Sequence, residues 1–346
     1  MTATVTRDAA LAVTTSRLMR AATLALGAVL IAACAFAFVG LNAEGYWTDE
    51  LFTLFLVNHH GGPAAVWRRA LTDTHPPLYY LLMAPIYLLS QGASMEVQQY
   101  LLRLAAIPFG LLTVYAAFRA TRLLFPSDWF MVITVPAFVA FQPQISYEAA
   151  MVNNDIVAIA IFSLLLWGIV AGMKRQFPSR VCLLLGVTLG AGLLVKSTTA
   201  SIAPVIALAM LWSLGIRDWR RLIARGLLVG VPAALMAAPW YLYLYRTYGD
   251  LSGLKRVQEL QYWNAPMGTF WELLTDPDFV IGRFRESWGE YGWRIIHFRD
   301  GLLWAIAVPM IAGALISMLL VMSLAGRIQP FETPARYLQT YTRGVS

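Results

Sequence analysis

The feature that most constrains this chain is the recurrence of long apolar runs joined by short, arginine-rich loops. The runs lie near 21–41, 76–90, 99–121, 129–146, 151–172, 181–196, 199–215, 226–245 and 301–324. Crossing a hydrocarbon core of about 30 Å as a helix takes roughly 20 apolar residues, and most of these runs come close to that. A spanning backbone has no water to bond with, so it must satisfy its own polar groups within helices. Composition agrees: 59% of residues are hydrophobic and 13% charged, against about half and about a quarter in soluble domains. The expected fold is an all-α polytopic membrane protein with about eight or nine transmembrane helices.

The net charge of +7 is no nucleic-acid signal, because the cations sit in loops between apolar runs. Arg119/Arg122, Lys174/Arg175/Arg180, Arg217/Arg220/Arg221/Arg225 and Arg327/Arg336 read as cytoplasmic by the positive-inside rule. The segments 147–155, 196–199 and 247–300 then share the opposite, outer side. The first run follows Arg7, Arg17 and Arg20 and reads as an uncleaved anchor with its N-terminus inside. Run 76–90 is short for a span, and counting it as one reverses the side of every later loop. A half-helix or re-entrant segment removes the conflict. Cys34 and Cys182 both fall inside apolar runs and read as small buried hydrophobes, neither a disulfide nor a metal pair.

The stretch between the first two runs holds the densest chemistry. It opens Tyr46-Trp47-Thr48-Asp49-Glu50 and closes Asp73-Thr74-His75-Pro76-Pro77-Leu78-Tyr79-Tyr80. Leu51, Phe52, Phe55 and Leu56 suggest an interfacial amphipathic helix, broken by Gly61-Gly62-Pro63. A second short helix would carry Val66, Trp67, Ala70 and Leu71 on one side and Arg68 and Arg69 towards the other. Asp49 and Glu50 have an ordinary explanation, since acids in a first helical turn complement the helix dipole. Their place beside a span offers another: desolvation there can lift a carboxylate into a general-base range. His75 is stiffened by the two prolines after it, which suits contact with a phosphate or an acceptor.

Three further positions stand out. Lys196 is one of only three lysines among 26 basic residues and closes the apolar run Leu193-Leu194-Val195. It is either a snorkelling side chain or a compact phosphate partner. Asn153-Asn154-Asp155 places polar groups between two apolar runs, as a helix cap or as a site. Arg103 lies inside an apolar run and needs a partner; Asp49, Glu50 or a lipid phosphate would serve. The outer loop 247–300 carries Tyr262, Trp263, Phe270, Trp271, Trp288, Tyr291 and Trp293, with a turn expected at Asp276-Pro277-Asp278. Those aromatics fit equally a loop resting on headgroups and a lid over a lipid or sugar site.

The chain has no glycine-rich nucleotide cradle, Walker lysine motif, paired-cysteine metal site or nucleophile elbow, which argues against a soluble nucleotide donor. The Asp49-Glu50 pair after the first span, followed by His-Pro-Pro-Leu-Tyr-Tyr at 75–80, resembles the GT-C glycosyltransferases. The likeness is to the protein O-mannosyltransferase and aminoarabinose–lipid A transferase branch. Arg103, Asn154-Asp155, Gly-Leu-Leu-Val-Lys-Ser-Thr around Lys196, and Pro239-Trp240-Tyr241 with Tyr248-Gly249-Asp250 follow in order. The resemblance covers roughly residues 20–250. The chain is shorter than is usual in the family, with fewer spans.

The resemblance implies an inverting transfer of sugar from a polyprenyl-phosphate donor to a protein, lipid or glycan acceptor, on the outer face of a bacterial inner membrane. It implies Asp49 as catalytic carboxylate with Glu50 beside it, and His75, Arg103, Asp155 and Lys196 around the donor phosphate. No cofactor is implied, although a divalent metal is compatible. The organisation it implies is a cytoplasmic tail at 1–20 and a GT-C-like transmembrane module at 21–246, with its first outer loop at 42–75. The outer loop at 247–300, a last span at 301–324 and a tail at 325–346 complete it. Two other readings fit: a non-catalytic transporter, flippase or assembly partner keeping the scaffold, and an outer-face lipid phosphatase or ligase. A transporter calls for repeats and broken helices at the midplane, whereas these ionisable residues gather at one face.

Overall fold

The computed structural model describes residues 21–35, 50–51, 53, 65–66, 68, 74–253, 255–256, 269–291 and 296–325. Asp49, Tyr262, Trp263, Trp293 and most of the two expected interfacial helices lie outside the described residues; Glu50, Leu51, Thr53, Ala65, Val66 and Arg68 are helical. The chain divides into two compact units, Met1–Pro266 and Met267–Ser346.

The described residues form an all-α polytopic membrane protein. In the first unit the helices are α1 (Ala21–Ala35), α2 (Leu78–Ser90), α3 (Met95–Leu104), α4 (Ile107–Leu124), α5 (Trp129–Ala140), α6 (Pro143–Ala149), α7 (Asp155–Lys174), α8 (Ser179–Val195), α9 (Ala203–Leu214) and α10 (Trp219–Tyr248). A short 3-10 turn, Ser197–Ile202, joins α8 to α9. Among the described residues five helical stretches are long and apolar enough to cross a membrane, and α5 with α6 makes a sixth if that bent pair is one span. α1, α2 and α8 are shorter apolar helices. The expected eight or nine is reached only by counting those three. At 13 residues α2 measures about 20 Å, less than a bilayer core.

Side chains set the breaks. Run 129–146, expected to be continuous, bends by 57° between α5 and α6. Pro143 lacks an N–H and pushes Gln142 to an extended conformation (φ −68, ψ 122), and Gln142 Oε1 then caps α6 by accepting from the Ile145 N–H at 2.8 Å. α8 and α10 approach closely at glycines: a Cβ on Gly186 would lie 2.5 Å from the Val229 carbonyl oxygen. One apolar cluster joins Tyr79, Tyr80, Met83 and Tyr87 of α2 to Val152, Ile156, Val195, Trp240 and Leu244. A second, nearer the other ends of α7, α8 and α10, holds Leu165, Phe177, Cys182, Leu185, Ile206 and Val229. Cys34 and Cys182 are free thiols.

The second unit contains α11 (Phe270–Thr275), α12 (Pro277–Trp288), a two-residue antiparallel pair (Glu290–Tyr291 with Ile296–His297) and α13 (Asp300–Ala325). Asp276-Pro277-Asp278, expected as a turn, instead starts a helix. Asp276 accepts from the Asp278 N–H at 3.0 Å and Pro277 takes the first helical position, where no N–H is needed.

Candidate functional site

Three of the six candidate side chains sit where helices begin or end around one cavity of about 400 Å³. His75 precedes α2, Asp155 opens α7, Lys196 follows α8, and Ser252 follows α10; all four line the cavity. Thr53, Thr74, Tyr80, Asn153 and Asn154 complete a wall made mostly of hydroxyls and amides.

Glu50 and Thr53 stitch the first loop to this wall. The Val152 N–H donates to Glu50 Oε1 at 2.9 Å, and the Thr53 hydroxyl donates to the Val152 carbonyl at 3.2 Å. Both backbone groups of Val152 are thus taken by one helical turn. Glu50 is fully buried and also receives Arg103: Nε donates to Oε1 at 2.8 Å and Nη2 to Oε2 at 2.6 Å. This two-pronged geometry is the strong form of the arginine–carboxylate contact. It gives Arg103 one of the partners expected for it and changes how the pair is read. Neither side chain lines the cavity, and the Arg103 side chain is only 3% exposed. A guanidinium so committed is out of direct reach of a ligand's phosphate, and a carboxylate with both oxygens occupied is no free base.

Lys196 and Asp155 form the second ion pair, on the cavity wall, with 32% and 41% of their side chains exposed. Lys196 adopts an extended backbone (φ −154, ψ 129) that ends α8. The close of α8 is held by Thr199, whose hydroxyl donates to the Gly192 carbonyl at 3.1 Å. The start of α7 is held by Asn153: its Oδ1 accepts from the N–H groups of Asp155 (3.0 Å) and Ile156 (3.4 Å). The Asn154 side chain donates to the Val195 carbonyl at 3.3 Å, joining the start of α7 to the end of α8. His75 lies edge-on to Tyr80, with ring centroids 6.3 Å apart.

Thr74 adds strain. Its φ of 60 is unusual for a β-branched residue, and an added Cβ on Gly253 (φ +72) would lie 2.8 Å from the Thr74 Cβ. Sequence reasoning singled out His75, Asp155 and Lys196. It passed over Thr53, Thr74, Tyr80, Ser197 and Ser252, which are common polar types in unremarkable spacing. Among the described residues no group of three or more His, Cys, Asp or Glu side chains could hold a metal ion.

The arrangement offers one cation, one imidazole and a set of neutral donors at a boundary where helices end. The cation is paired with the Asp155 carboxylate on the same wall. A family model, that of the dolichyl-phosphate-mannose-protein mannosyltransferases, matches residues 74–247, which takes in every one of these positions except Glu50, Thr53, Ser252 and Gly253. No curated protein matches the chain.

Proposed function

This chain belongs to the dolichyl-phosphate-mannose-protein mannosyltransferase family, a membrane glycosyltransferase family of GT-C type, and on that premise we propose that it transfers a sugar from a polyprenyl-phosphate donor to a hydroxyl acceptor with inversion. The observation that carries this reading is the cavity that gathers His75, Asp155 and Lys196 at helix ends. In the proposed step the acceptor oxygen bonds to the anomeric carbon as that carbon's bond to the phosphate oxygen breaks. The acceptor proton passes to the Asp49 carboxylate, and polyprenyl phosphate departs. Lys196 and His75 meet the charge that grows on the leaving phosphate; such a fixed donor contributes about 10²–10³ in rate. Asp155 holds Lys196 ready. Glu50 and Arg103 act one step back, by fixing the segment next to Asp49 on Val152.

Charge supports an outer-face site. Lys174, at the far end of α7 from Asp155, and Arg220, Arg221 and Arg225, at the far end of α10 from Ser252, mark the opposite end of the bundle. By the positive-inside rule that end is cytoplasmic.

The test is transfer by the purified full-length protein, supplied with a panel of polyprenyl-phosphate sugars and assayed by product mass. Sugar transfer in the wild type, lost in Asp49→Asn and reduced about a hundredfold in Lys196→Met, is the expected result. No transfer from any donor overturns the reading, and full activity of Asp49→Asn removes the aspartate from the chemistry.

A further inference from the structure

One buried carboxylate has no part in the chemistry above. Glu148, on α6, is 8% exposed and does not line the cavity. Both its oxygens are taken by primary amides. Gln144 Nε2 donates to Oε1 at 2.8 Å, and Asn153 Nδ2 donates to Oε2. Both Glu148 oxygens accept, so the nitrogen end of the Asn153 amide is the end that faces it. The Asn153 Oδ1 is left pointing at the start of α7, where it takes the N–H groups of Asp155 and Ile156. These belong to the first turn of the helix and have no partner within it. The next link is Asp155 itself, whose carboxylate holds the Lys196 ammonium.

The geometry points to Glu148 as a positioning residue for the anion-binding lysine. Acting through Asn153, it sets the start of α7 so that Asp155 holds Lys196 at the cavity wall. Its meaning for donor binding rests on the function proposed above; its effect on Lys196 is a matter of geometry and is read without turnover. The role depends on shape and hydrogen bonding. In Glu148→Gln the new amide keeps an oxygen for Asn153 and offers its nitrogen to Gln144, whose Oε1 has no partner among the described residues. That variant therefore preserves the chain of contacts, while Glu148→Ala breaks it at its root. Asn153→Ser leaves a hydroxyl able to cap α7 but cuts the link to Glu148.

Two measurements on the full-length protein test this. The first is the rate at which an amine-reactive acylating reagent modifies Lys196, read by peptide mass against Lys174 and Lys255 as internal standards. Only a free amine acylates, so a lysine released from its carboxylate reacts faster. Glu148→Ala raises Lys196 labelling several-fold, Glu148→Gln leaves it near wild type, and Asn153→Ser added to Glu148→Ala brings little more because both act along one path. The second is the kinetics of transfer: Glu148→Ala raises KM for the donor about tenfold with a smaller change in kcat, and Glu148→Gln restores it. Only variants that elute as a monodisperse peak are compared. Unchanged Lys196 labelling in a folded Glu148→Ala protein overturns the inference. So does a Glu148→Gln protein that loses transfer while Lys196 labels normally, since that outcome makes the carboxylate itself chemical. A wild type that transfers no sugar sinks the proposed function, and the labelling comparison still decides the role of Glu148.

Discussion

Breaking the Glu50–Arg103 pair one side at a time should be far more damaging than removing both charges together. The carboxylate is fully buried and accepts two bonds from Arg103 and one from the Val152 N–H. In Glu50→Gln the shape survives and one amide oxygen remains for Val152, but the Arg103 guanidinium, 3% exposed, loses both charge-assisted bonds it makes to the Glu50 carboxylate. Stranding one member of a buried ion pair costs about 3–5 kcal/mol. Arg103→Gln takes both guanidinium bonds from the carboxylate instead, and a similar cost is expected. The double variant leaves two neutral amides that can bond with each other and with Val152, so no charge is stranded. Its expected cost is about 1–2 kcal/mol, which implies a coupling of several kcal/mol between the sites. Glutamine is the substitution to use, because leucine would also orphan the Val152 N–H and add about 1–3 kcal/mol of unrelated cost. Reversible unfolding by SDS in mixed micelles, followed by the fluorescence of the 12 tryptophans, gives the free energies. Single variants costing under about 1 kcal/mol, or a double variant equal to their sum, would refute the reasoning.

Three other outcomes are expected. Gly186→Ala pushes α8 off the α10 backbone and costs about 1–3 kcal/mol in the same unfolding assay, whereas Gly230→Ala, with nothing within 4 Å of the new methyl, is neutral or stabilising. Gly253→Ala destabilises through both its positive φ and its clash with Thr74, and adding Thr74→Gly recovers the clash but not the φ; a double variant no better than Gly253→Ala would show the clash to be immaterial. The Glu272 carboxyl closes a capping box on α11, and the bond from the Thr269 N–H at 2.6 Å holds it below the usual glutamate range. A depressed pKa adds stability above the unfolded value of about 4.3, lost as pH falls through the folded value. Protection of the α11 amides against exchange should therefore drop in acid for wild type but not with that pH dependence for Glu272→Gln.

Much of the fold could be read from the sequence because one physical rule decides it. Apolar runs of spanning length have few alternatives to helices, and α4, α7, α10 and α13 fall where the runs are. The exceptions came from single residues acting on the backbone. Pro143 bends a run that hydropathy treats as continuous, and Asp276-Pro277-Asp278 carries turn residues that serve equally well as a helix start.

The site was legible to the extent that its residues were anomalous where they stood. Lys196 and Asp155 were ionisable groups at the edge of apolar runs, and Arg103 was a cation inside one. A buried guanidinium demands a partner, and that much follows from desolvation alone. Which partner it takes does not follow, because 53 residues separate Arg103 from Glu50 and only the packed bundle brings them together. The choice changes the chemistry. Had Arg103 been left for a ligand phosphate, Glu50 would have stayed available as a second acid. Paired, they become the anchor that holds Glu50 on Val152, and the proposed chemistry is assigned to the residues on either side: Asp49 before Glu50 in the chain, and Asp155 with Lys196 beyond Val152. Glu148, just before Asn153-Asn154-Asp155, drew no role of its own for the opposite reason. It is an ordinary glutamate just after an apolar run, and the role proposed for it depends on which end of the Asn153 amide it holds. A sequence states that an amide is present but not which way it faces, and here the whole path from Glu148 to Lys196 runs through that orientation.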